Sequence, residues 1–418
     1  MKTRYIIFLL WFAAAGVLGH GCGMLDDMKD LDDTEKIAEL TVTVKAVNTT
    51  AGTAAEIPLP DEMLVRLIDD RQMIAMRHTT TSATSDISGV IPGLYTVKIS
   101  GTTFVGDKRY FFNGTVANTP LTKETPIEIE VDMTPGLSGD FIFKELYYCA
   151  SWTPAGANYS YDQFYEIYNN TDEVMYADGL CVAYAVPNIP QSNPYTWVDA
   201  DNNVITEPYV YVTQVWTIPG GGTDYPVKPG ESFLVVGFSY DNTEENRNPA
   251  SIDLSMAEFE AVSPPYYNTS QDGPALNMLV VVGSTTSSMW MPAVYGPGMI
   301  LFRNNGEVSE DNSAYIQGYS NKYYIVPPSI VIDGVDCMRD ESSANWKRLP
   351  TTIDAGSTWV GGLRVNKSVS RKVDDIVDGR YIFQDTNDSS DDFEIMEDGP
   401  VVRRYGTGVP SWNTWIRE

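Results

Sequence analysis

The chain has 418 residues, 43% of them hydrophobic and 11% aromatic, which is the composition of a folded globular protein and not of a disordered one. Because this chain is longer than the chains that usually fold around one hydrophobic core, we expect two domains. With 28 basic and 56 acidic residues the formal charge is −28, and a field of that sign repels phosphate backbones and argues against nucleic-acid binding.

The N-terminus has the layout of an export signal. Lys2 and Arg4 precede the apolar run Ile6–Leu18, which is shorter than the roughly 20 residues that a membrane-spanning helix needs. Small residues follow and end just before Cys22. The stretch resembles a lipobox, which implies that residues 1–21 are a cleaved signal peptide and that Cys22 is lipidated. An ordinary secreted protein, cleaved nearby, is the alternative.

Residues 22–38 form an acidic segment directly after the predicted anchor. Loss of Lys2 and Arg4 with the signal leaves 26 basic against 56 acidic residues, so the mature charge is −30. Self-repulsion keeps such a segment extended, as a solvated tether. It resembles the surface-export signal of Bacteroidota lipoproteins, which implies an outer-membrane protein facing the cell exterior. A plain linker on the periplasmic side is the alternative.

Residues 39–133 are predicted to form a small β-sandwich. Apolar and polar residues alternate with period two in short segments separated by Gly, Pro, Asn and Thr turns, which favours an antiparallel sandwich. The segments are Glu39–Val47, Met63–Ile68, Leu94–Ser100, Tyr110–Val116 and Ile127–Met133. The stretch Ile87–Ser100 enters its strand through Pro-Gly-Leu-Tyr and resembles prealbumin-like (carboxypeptidase-regulatory-like or CnaB-like) sandwiches. In those families the module is a spacer or interaction domain.

Thr134-Pro135-Gly136 interrupts the pattern, and we place the domain boundary there, with a second β-sandwich over residues 140–418. Within it, Gln163–Ala185 shows a strand, an Asn-Asn-Thr-Asp turn, a short strand, an Asp-Gly turn and a strand. This pattern resembles the lamin-tail immunoglobulin-like domain. Lys228–Phe238 and Ser370–Phe393 fit later motifs of the same family.

The order and spacing of these motifs resemble an uncharacterised family of Bacteroidota lipoproteins. That resemblance implies genes placed beside TonB-dependent outer-membrane receptors, which makes such a receptor a candidate partner. Two insertions, Val186–Tyr225 and Asn246–Pro274, set the second domain apart from a minimal lamin-tail module. Loops of this length in a compact domain are usually functional or disordered, and their aromatic content argues against disorder.

Catalytic and metal-binding residue types are sparse. His20 leaves with the signal peptide, so the mature chain keeps only His78, for which no triad partner is identifiable. Cys149, Cys181 and Cys337 are too widely spaced for a C-x-x-C zinc motif. Cys149 and Cys181, both on strands of one proposed sheet, are the pair we would join if a disulfide forms, but we favour free buried thiols over that disulfide.

Acidic residues are abundant, and no pair stands out as the two carboxylates of a glycosidase. Asp385–Asp392 is an oxygen-rich loop that could suit calcium, but Asp and Asn also cap their own backbone in such turns, and Asp199–Asn203 raises the same two alternatives. We therefore predict a protein that is not an enzyme and has no metal or cofactor.

Aromatic side chains in or beside the insertions are the predicted ligand- or partner-binding residues. Exposed rings stack on sugars and anchor protein interfaces, whereas the alternative is that they seal the sandwich edges. The six are Trp197, Trp216, Tyr266, Tyr267, Trp290 and Tyr295. The sequence thus predicts an all-β binding lipoprotein, accessory to a TonB-dependent transporter and with a small-molecule or glycan ligand. An adhesin or structural envelope protein is the alternative, and a glycoside hydrolase a weaker one.

Overall fold

The fold is described from a computed structural model, which covers residues 39–53, 56–69, 75–106, 108–122, 127–137, 141–269, 272–286 and 290–414. The predicted signal peptide, Cys22 and the acidic tether lie outside these residues. Within them the chain is almost entirely β-structure, as predicted. In this described part, helical structure is limited to α1 (Ser389–Asp392) and to single 3₁₀ turns at Pro264–Tyr266, Pro328–Ile330, Glu341–Ser343 and Arg404–Gly406. None of these described helices approaches the length needed to cross a bilayer.

Seven strands make up the N-terminal sandwich. They are β1 (Leu40–Asn48), β2 (Met63–Asp69), β3 (Ala75–Thr80), β4 (Thr84–Val90), β5 (Gly93–Val105), β6 (Lys108–Leu121) and β7 (Ile127–Leu137). Their order is β3-β2-β5-β6-β7-β1-β4. The first part of β7 pairs in parallel with β1 and its last part pairs with β6, so this one strand joins the two halves of the sheet. Side chains at alternate positions, such as Val42, Val44, Val65 and Val97, fill the core between the halves.

The strand predictions for this region are confirmed, with two differences. Strands β3 and β4 were not predicted, and Thr134-Pro135-Gly136 does not end the last strand. Instead β7 continues to Leu137 because this segment still pairs with β6. The next strand begins at Phe141, so the change from one sheet system to the next falls a few residues later than the sequence pattern indicates.

The rest of the chain contributes short strands. The first of them are β8 (Phe141–Tyr147), β9 (Ser151–Trp152), β10 (Asn158–Tyr159), β11 (Phe164–Asn169), β12 (Met175–Tyr176), β13 (Leu180–Tyr184), β14 (Trp197–Val198), β15 (Val210–Val212), β16 (Val215–Thr217), β17 (Pro226–Val227), β18 (Ser232–Val236) and β19 (Phe259–Glu260). They are followed by β20 (Leu276–Asn277), β21 (Leu279–Val282), β22 (Gly298–Arg303), β23 (Ser313–Ile316), β24 (Lys322–Val326), β25 (Val331–Met338), β26 (Thr358–Trp359), β27 (Ser368–Arg371), β28 (Val373–Val377), β29 (Arg380–Phe383) and β30 (Phe393–Met396).

Two large sheets form the second sandwich. One has the order β20-β19-β18-β11-β8-β27-β30 and the other β21-β16-β13-β22-β25-β26. Most neighbours are antiparallel, but β18–β19, β19–β20 and β25–β26 are parallel pairs. One core holds Phe143 and Phe164 of the first sheet together with Val182 and Leu301 of the second. Burying each such side chain contributes about 1.5–3 kcal/mol to folding, so this core is the main stabilising element.

The segment Gln163–Ala185 folds as its sequence pattern predicts. Strand β11 lies in the middle of the first sheet, β12 follows the turn, and the Asp178-Gly179 turn leads into β13 of the second sheet. Gly179 has a φ of 69°, a left-handed conformation that glycine adopts without strain. This segment therefore carries the chain from one face of the sandwich to the other.

A third, smaller sheet covers the outer face of the second one. Its order is β14-β23-β24-β15, and all of its pairs are antiparallel. Val210, Val212 and Val326 of this sheet pack against Ala183 and Ile300 of the second sheet in a separate core. The insertion at Val186–Tyr225 supplies β14 and β15, so it is an ordered layer of the fold.

Candidate functional site

The two faces of the small sheet have different surroundings. Residues paired across antiparallel strands share a face, and neighbours along a strand alternate between faces. Val212 pairs with Tyr324 and Tyr211 pairs with Ile325. Because Val212 and Tyr324 belong to the inner core, Tyr211 and Ile325 lie on the opposite, outward side.

Aromatic rings collect on that outward side. Trp197 stacks on Tyr211, with ring centroids 3.8 Å apart and an interplanar angle of 12°. Tyr323 meets the same indole edge-on at 5.2 Å, and Tyr195 does so at 5.9 Å. Tyr209, the residue just before β15, also packs against this cluster. We call these five side chains the aromatic face.

Burial divides the aromatic face into a centre and a rim. Tyr211 is 6% exposed, its hydroxyl has no hydrogen-bond partner among the described residues, and burial raises its pKa to about 12, with Glu207 and Tyr209 adding to the shift. Trp197, Tyr195, Tyr209 and Tyr323 are half-buried. The rim rings are thus held by packing while still offering surface to a partner.

The turn between β23 and β24 extends the aromatic face. Tyr319 in this turn is 70% exposed. The backbone of Gln317 donates a hydrogen bond of 2.9 Å to the carbonyl of Thr196, which holds the turn beside β14 and Trp197. A largely exposed ring therefore stands next to the packed ones. The sequence analysis did not single out Tyr195, Tyr209, Tyr211, Tyr319 or Tyr323, since only the register of the small sheet brings them together.

Two of the predicted binding residues belong to the main core, which corrects their assignment. Trp216 is fully buried and Trp290 is 2% exposed, so neither ring can meet a ligand at the surface. Trp290 packs instead against Tyr165 and Tyr184, with centroids 5.4 and 6.0 Å away. Both indoles lie in the core between the two large sheets. Trp216 is part of the short insertion strand β16, which buries its apolar side there.

The other predicted aromatic residues lie apart from Trp197. Tyr266, Tyr267 and Tyr295 are half-buried, and the Tyr267 hydroxyl donates to the Met278 carbonyl at 3.3 Å. In the described part of the chain, no ring contact joins any two of the six predicted residues. The structure therefore does not gather them into one site, and Trp197 is the member that belongs to an aromatic cluster at the surface.

The acidic loop Asp385–Asp392 is bound by the protein's own cations. The buried Arg371 guanidinium bonds Asp333 at 2.7 Å and both Asp385 and Asp392 at 3.2 Å. The Asp388 side chain accepts a hydrogen bond from the backbone N–H of Ser390 and so caps the N-terminus of α1. Across the described residues no group of three His, Cys, Asp or Glu side chains is arranged to hold a metal ion.

The same loop joins the two sandwiches. Arg66 on β2 contacts Asp388 and Asp391, and Lys98 on β5 donates to Asp388 at 2.8 Å. Asn113 on β6 donates to the Thr386 carbonyl at 2.6 Å. Burial raises the pKa of Asp388, but Lys98 and the hydrogen bonds outweigh it and hold that pKa at about 2. Asp388 is therefore an ionised link between the sandwiches.

The second acidic loop, Asp199–Asn203, is a turn held by its own hydrogen bonds. Asp199 accepts hydrogen bonds from the backbone of Asp201 and from Asn203, which lowers its pKa and closes the turn after β14.

Cys149, Cys181 and Cys337 are free and buried. Cys149 lies in the main core and Cys181 in the core beneath the small sheet, so the two thiols face different cores.

Residues 228–399 match the model of a family described as a protein of unknown function, DUF4876. A crystal structure of a DUF4876 family protein from Bacteroides thetaiotaomicron is 32% identical, with a TM-score of 0.60, over 90% of this chain and 99% of that one. The chain belongs to the DUF4876 family. A candidate adhesin from Bacteroides ovatus matches at 8% identity and a TM-score of 0.20, over 68% of this chain and 81% of that one, and carries no argument. No curated protein sequence matches the chain.

Proposed function

We propose that this DUF4876 protein is a lipid-anchored binding protein on the outer-membrane surface, without catalytic activity, that uses its aromatic face to contact a TonB-dependent receptor. The aromatic face is the observation that carries the proposal. Its rings come from one of the two insertions and from the β23–β24 hairpin, and they lie on the side of the small sheet that faces away from the protein core.

The packing of the aromatic face suits protein binding. Interfaces are anchored by Trp and Tyr, which supply large contact areas with few rotatable bonds. Here Trp197 is already immobilised between Tyr211 and Tyr323, so little side-chain freedom remains to be lost when a partner binds. The half-buried rim can exclude water around the centre. These features together favour a preformed contact surface.

The placement at the membrane rests on the sequence. The resemblance of residues 1–21 to a lipoprotein signal supports lipidation of Cys22, and the acidic tether supports export to the outer surface. The TonB-dependent partner rests on the resemblance to lipoproteins encoded beside such receptors. The two sandwiches are proposed to be a prealbumin-like and an elaborated lamin-tail-like module, for which the strand pattern of Gln163–Ala185 is the main support.

An adhesin or structural envelope protein is the second proposal, because an aromatic sheet face can equally meet a host or neighbouring cell. A glycoside hydrolase is a third and weaker proposal. That chemistry needs two carboxylates flanking a sugar in one cleft, and in the cleft of about 710 Å³ between the sandwiches Glu341 alone supplies a carboxylate to the described lining.

Gentle detergent extraction of the tagged protein from its own membranes, with mass spectrometry of what co-purifies, tests the proposal. We expect a TonB-dependent barrel with the wild-type protein and a loss of most of it with Trp197→Ala and Tyr323→Ala combined. Tyr176→Ala, which removes an exposed ring outside the aromatic face, is the matched control and should keep the barrel. Recovery of the lipidated protein alone would put adhesion first, and an unchanged yield from the double variant would disprove the role of the aromatic face.

A further inference from the structure

A large cleft lies between the two sandwiches, and none of its described lining residues belongs to the aromatic face. It encloses about 710 Å³, within the range usual for small-molecule sites, and domain interfaces are a common place for them. Thr96, Thr115 and Asn118 of the first sandwich line one wall. The other wall is built from residues 341–359 and Ser390. Both sandwiches therefore contribute to one cavity.

The two lysines in the cleft are already engaged. Lys98 donates to Asp388 at 2.8 Å and to the Ser390 hydroxyl at 3.2 Å. Lys347 donates to the carbonyls of Asp354, at 2.7 Å, and Gly356. Lys98 is paired with a carboxylate, and two of the three N–H donors of Lys347 bond backbone carbonyls, so the described lining has no unengaged ammonium group for a phosphate or carboxylate ligand. An anionic ligand would also meet the exposed carboxylate of Glu341.

Neutral hydrogen-bonding groups are available on both walls. Asn118 and Asn345 are exposed, and within the described residues neither side chain has a hydrogen-bond partner. The Thr115 hydroxyl is buried and is likewise without a partner. A buried polar atom left unpaired costs about 1–3 kcal/mol, so a ligand hydroxyl that reached it would recover that loss.

One aromatic ring completes the lining. Trp359 on β26 is half-buried, and no ring contact to it occurs among the described residues. An indole that lines a cleft can stack on the C–H surface of a sugar ring, while amides and hydroxyls bond the hydroxyl groups of the sugar. Anionic ligands would meet Glu341 and no unengaged cation of the described lining, and purely apolar ligands would leave the amides without partners.

We propose that the cleft between the sandwiches binds a neutral oligosaccharide, with Trp359 stacking on a sugar ring and Asn118, Asn345 and Thr115 bonding its hydroxyls. This site is separate from the aromatic face, and it does not depend on the receptor partner proposed above. Because its walls come from different sandwiches, the ligand would also hold the two sandwiches together.

Calorimetric titration of the chain from residue 23 onward, which lacks the predicted lipidated Cys22, with a panel of neutral oligosaccharides tests this inference. The panel contains maltotriose, cellotriose, mannotriose and diacetylchitobiose, and trigalacturonate serves as the anionic comparison. We expect millimolar or tighter binding of at least one neutral member, and at least about tenfold weaker binding after Trp359→Ala or Asn345→Ala. The matched controls, Trp152→Ala and Asn321→Ala, remove an exposed indole and an exposed amide outside the cleft and should leave affinity unchanged.

Three results would overturn the inference. The first is the absence of binding by every neutral oligosaccharide of the panel at millimolar concentration. The second is tighter binding of trigalacturonate than of any neutral member. The third is oligosaccharide binding that survives Asn345→Ala and Trp359→Ala but is lost with Trp197→Ala, which would place the sugar on the aromatic face. Asn345 is exposed, so its variant remains informative if Trp359→Ala fails to fold.

Discussion

Lys98 and Asp388 are 290 positions apart in the chain, yet the lysine Nζ donates to the aspartate Oδ2 at 2.8 Å across the junction of the two sandwiches. Asp388 is 1% exposed, and Arg66 approaches the same oxygen at 3.5 Å. A buried carboxylate with two cationic neighbours from another sheet system is costly to leave unpaired. Charge therefore contributes to the position of one sandwich against the other.

Replacing Asp388 with Asn should destabilise the junction. The change leaves Lys98 and Arg66 without their shared carboxylate, and breaking a buried pair costs about 3–5 kcal/mol, reduced here because Arg66 keeps Asp391. We expect a loss of about 2–3 kcal/mol in the free energy of unfolding, measured by urea titration. Glu130→Gln breaks the exposed pair with Lys45 and should cost less than about 1 kcal/mol. Equal costs for the two variants would contradict the junction's role.

The contribution of Asp388 should depend on pH. Its pKa is about 2 in the folded protein against an ordinary value of 3.8, so the folded state holds it ionised more strongly than the unfolded state does. The associated stability, about 2 kcal/mol, is present above pH 3.8 and is lost as the pH falls towards 2. Urea titrations of wild type and Asp388→Asn should therefore differ most at neutral pH and converge in acid. A constant difference between the two proteins across that window would refute the ion-pair assignment.

Trp216 offers a test of core packing that separates volume from polarity. Its ring is fully buried and its indole Nε1 has no hydrogen-bond partner among the described residues. Trp216→Ala should cost about 3–5 kcal/mol because it opens a large cavity. Trp216→Phe keeps most of the volume and removes an unsatisfied donor, so we expect a cost below about 2 kcal/mol. The matched surface variant Trp197→Ala should cost less than Trp216→Ala in the same denaturation assay.

The three thiols should be unreactive in the folded protein. Cys149, Cys181 and Cys337 are buried, and burial raises the pKa of each thiol, which lowers the thiolate fraction that reacts. With Cys22 replaced by Ser, Ellman's reagent should titrate almost no thiol before unfolding and three thiols in denaturant. One titratable thiol in denaturant would instead reveal a disulfide.

Local sequence was sufficient for the strand content and for several boundaries. Strand β11 and the Asp178-Gly179 turn follow from alternation and turn chemistry, which depend on neighbouring residues. The continuation of β7 through Pro135 was not predictable in this way, because it depends on pairing with β6. Parallel pairs such as β1–β7 likewise require knowledge of which strands meet.

The sequence by itself determined that this is an acidic, β-rich chain with few catalytic residue types, because composition and period-two alternation are local properties. Tertiary structure decided which aromatic rings meet the surface. Trp197 and Trp216 both occupy short strands of one insertion, but one lies on an outer sheet face and the other between two sheets. It also decided that Asp388 serves as a connector, since its partner Arg66 lies 322 positions away and only folding brings the charges together.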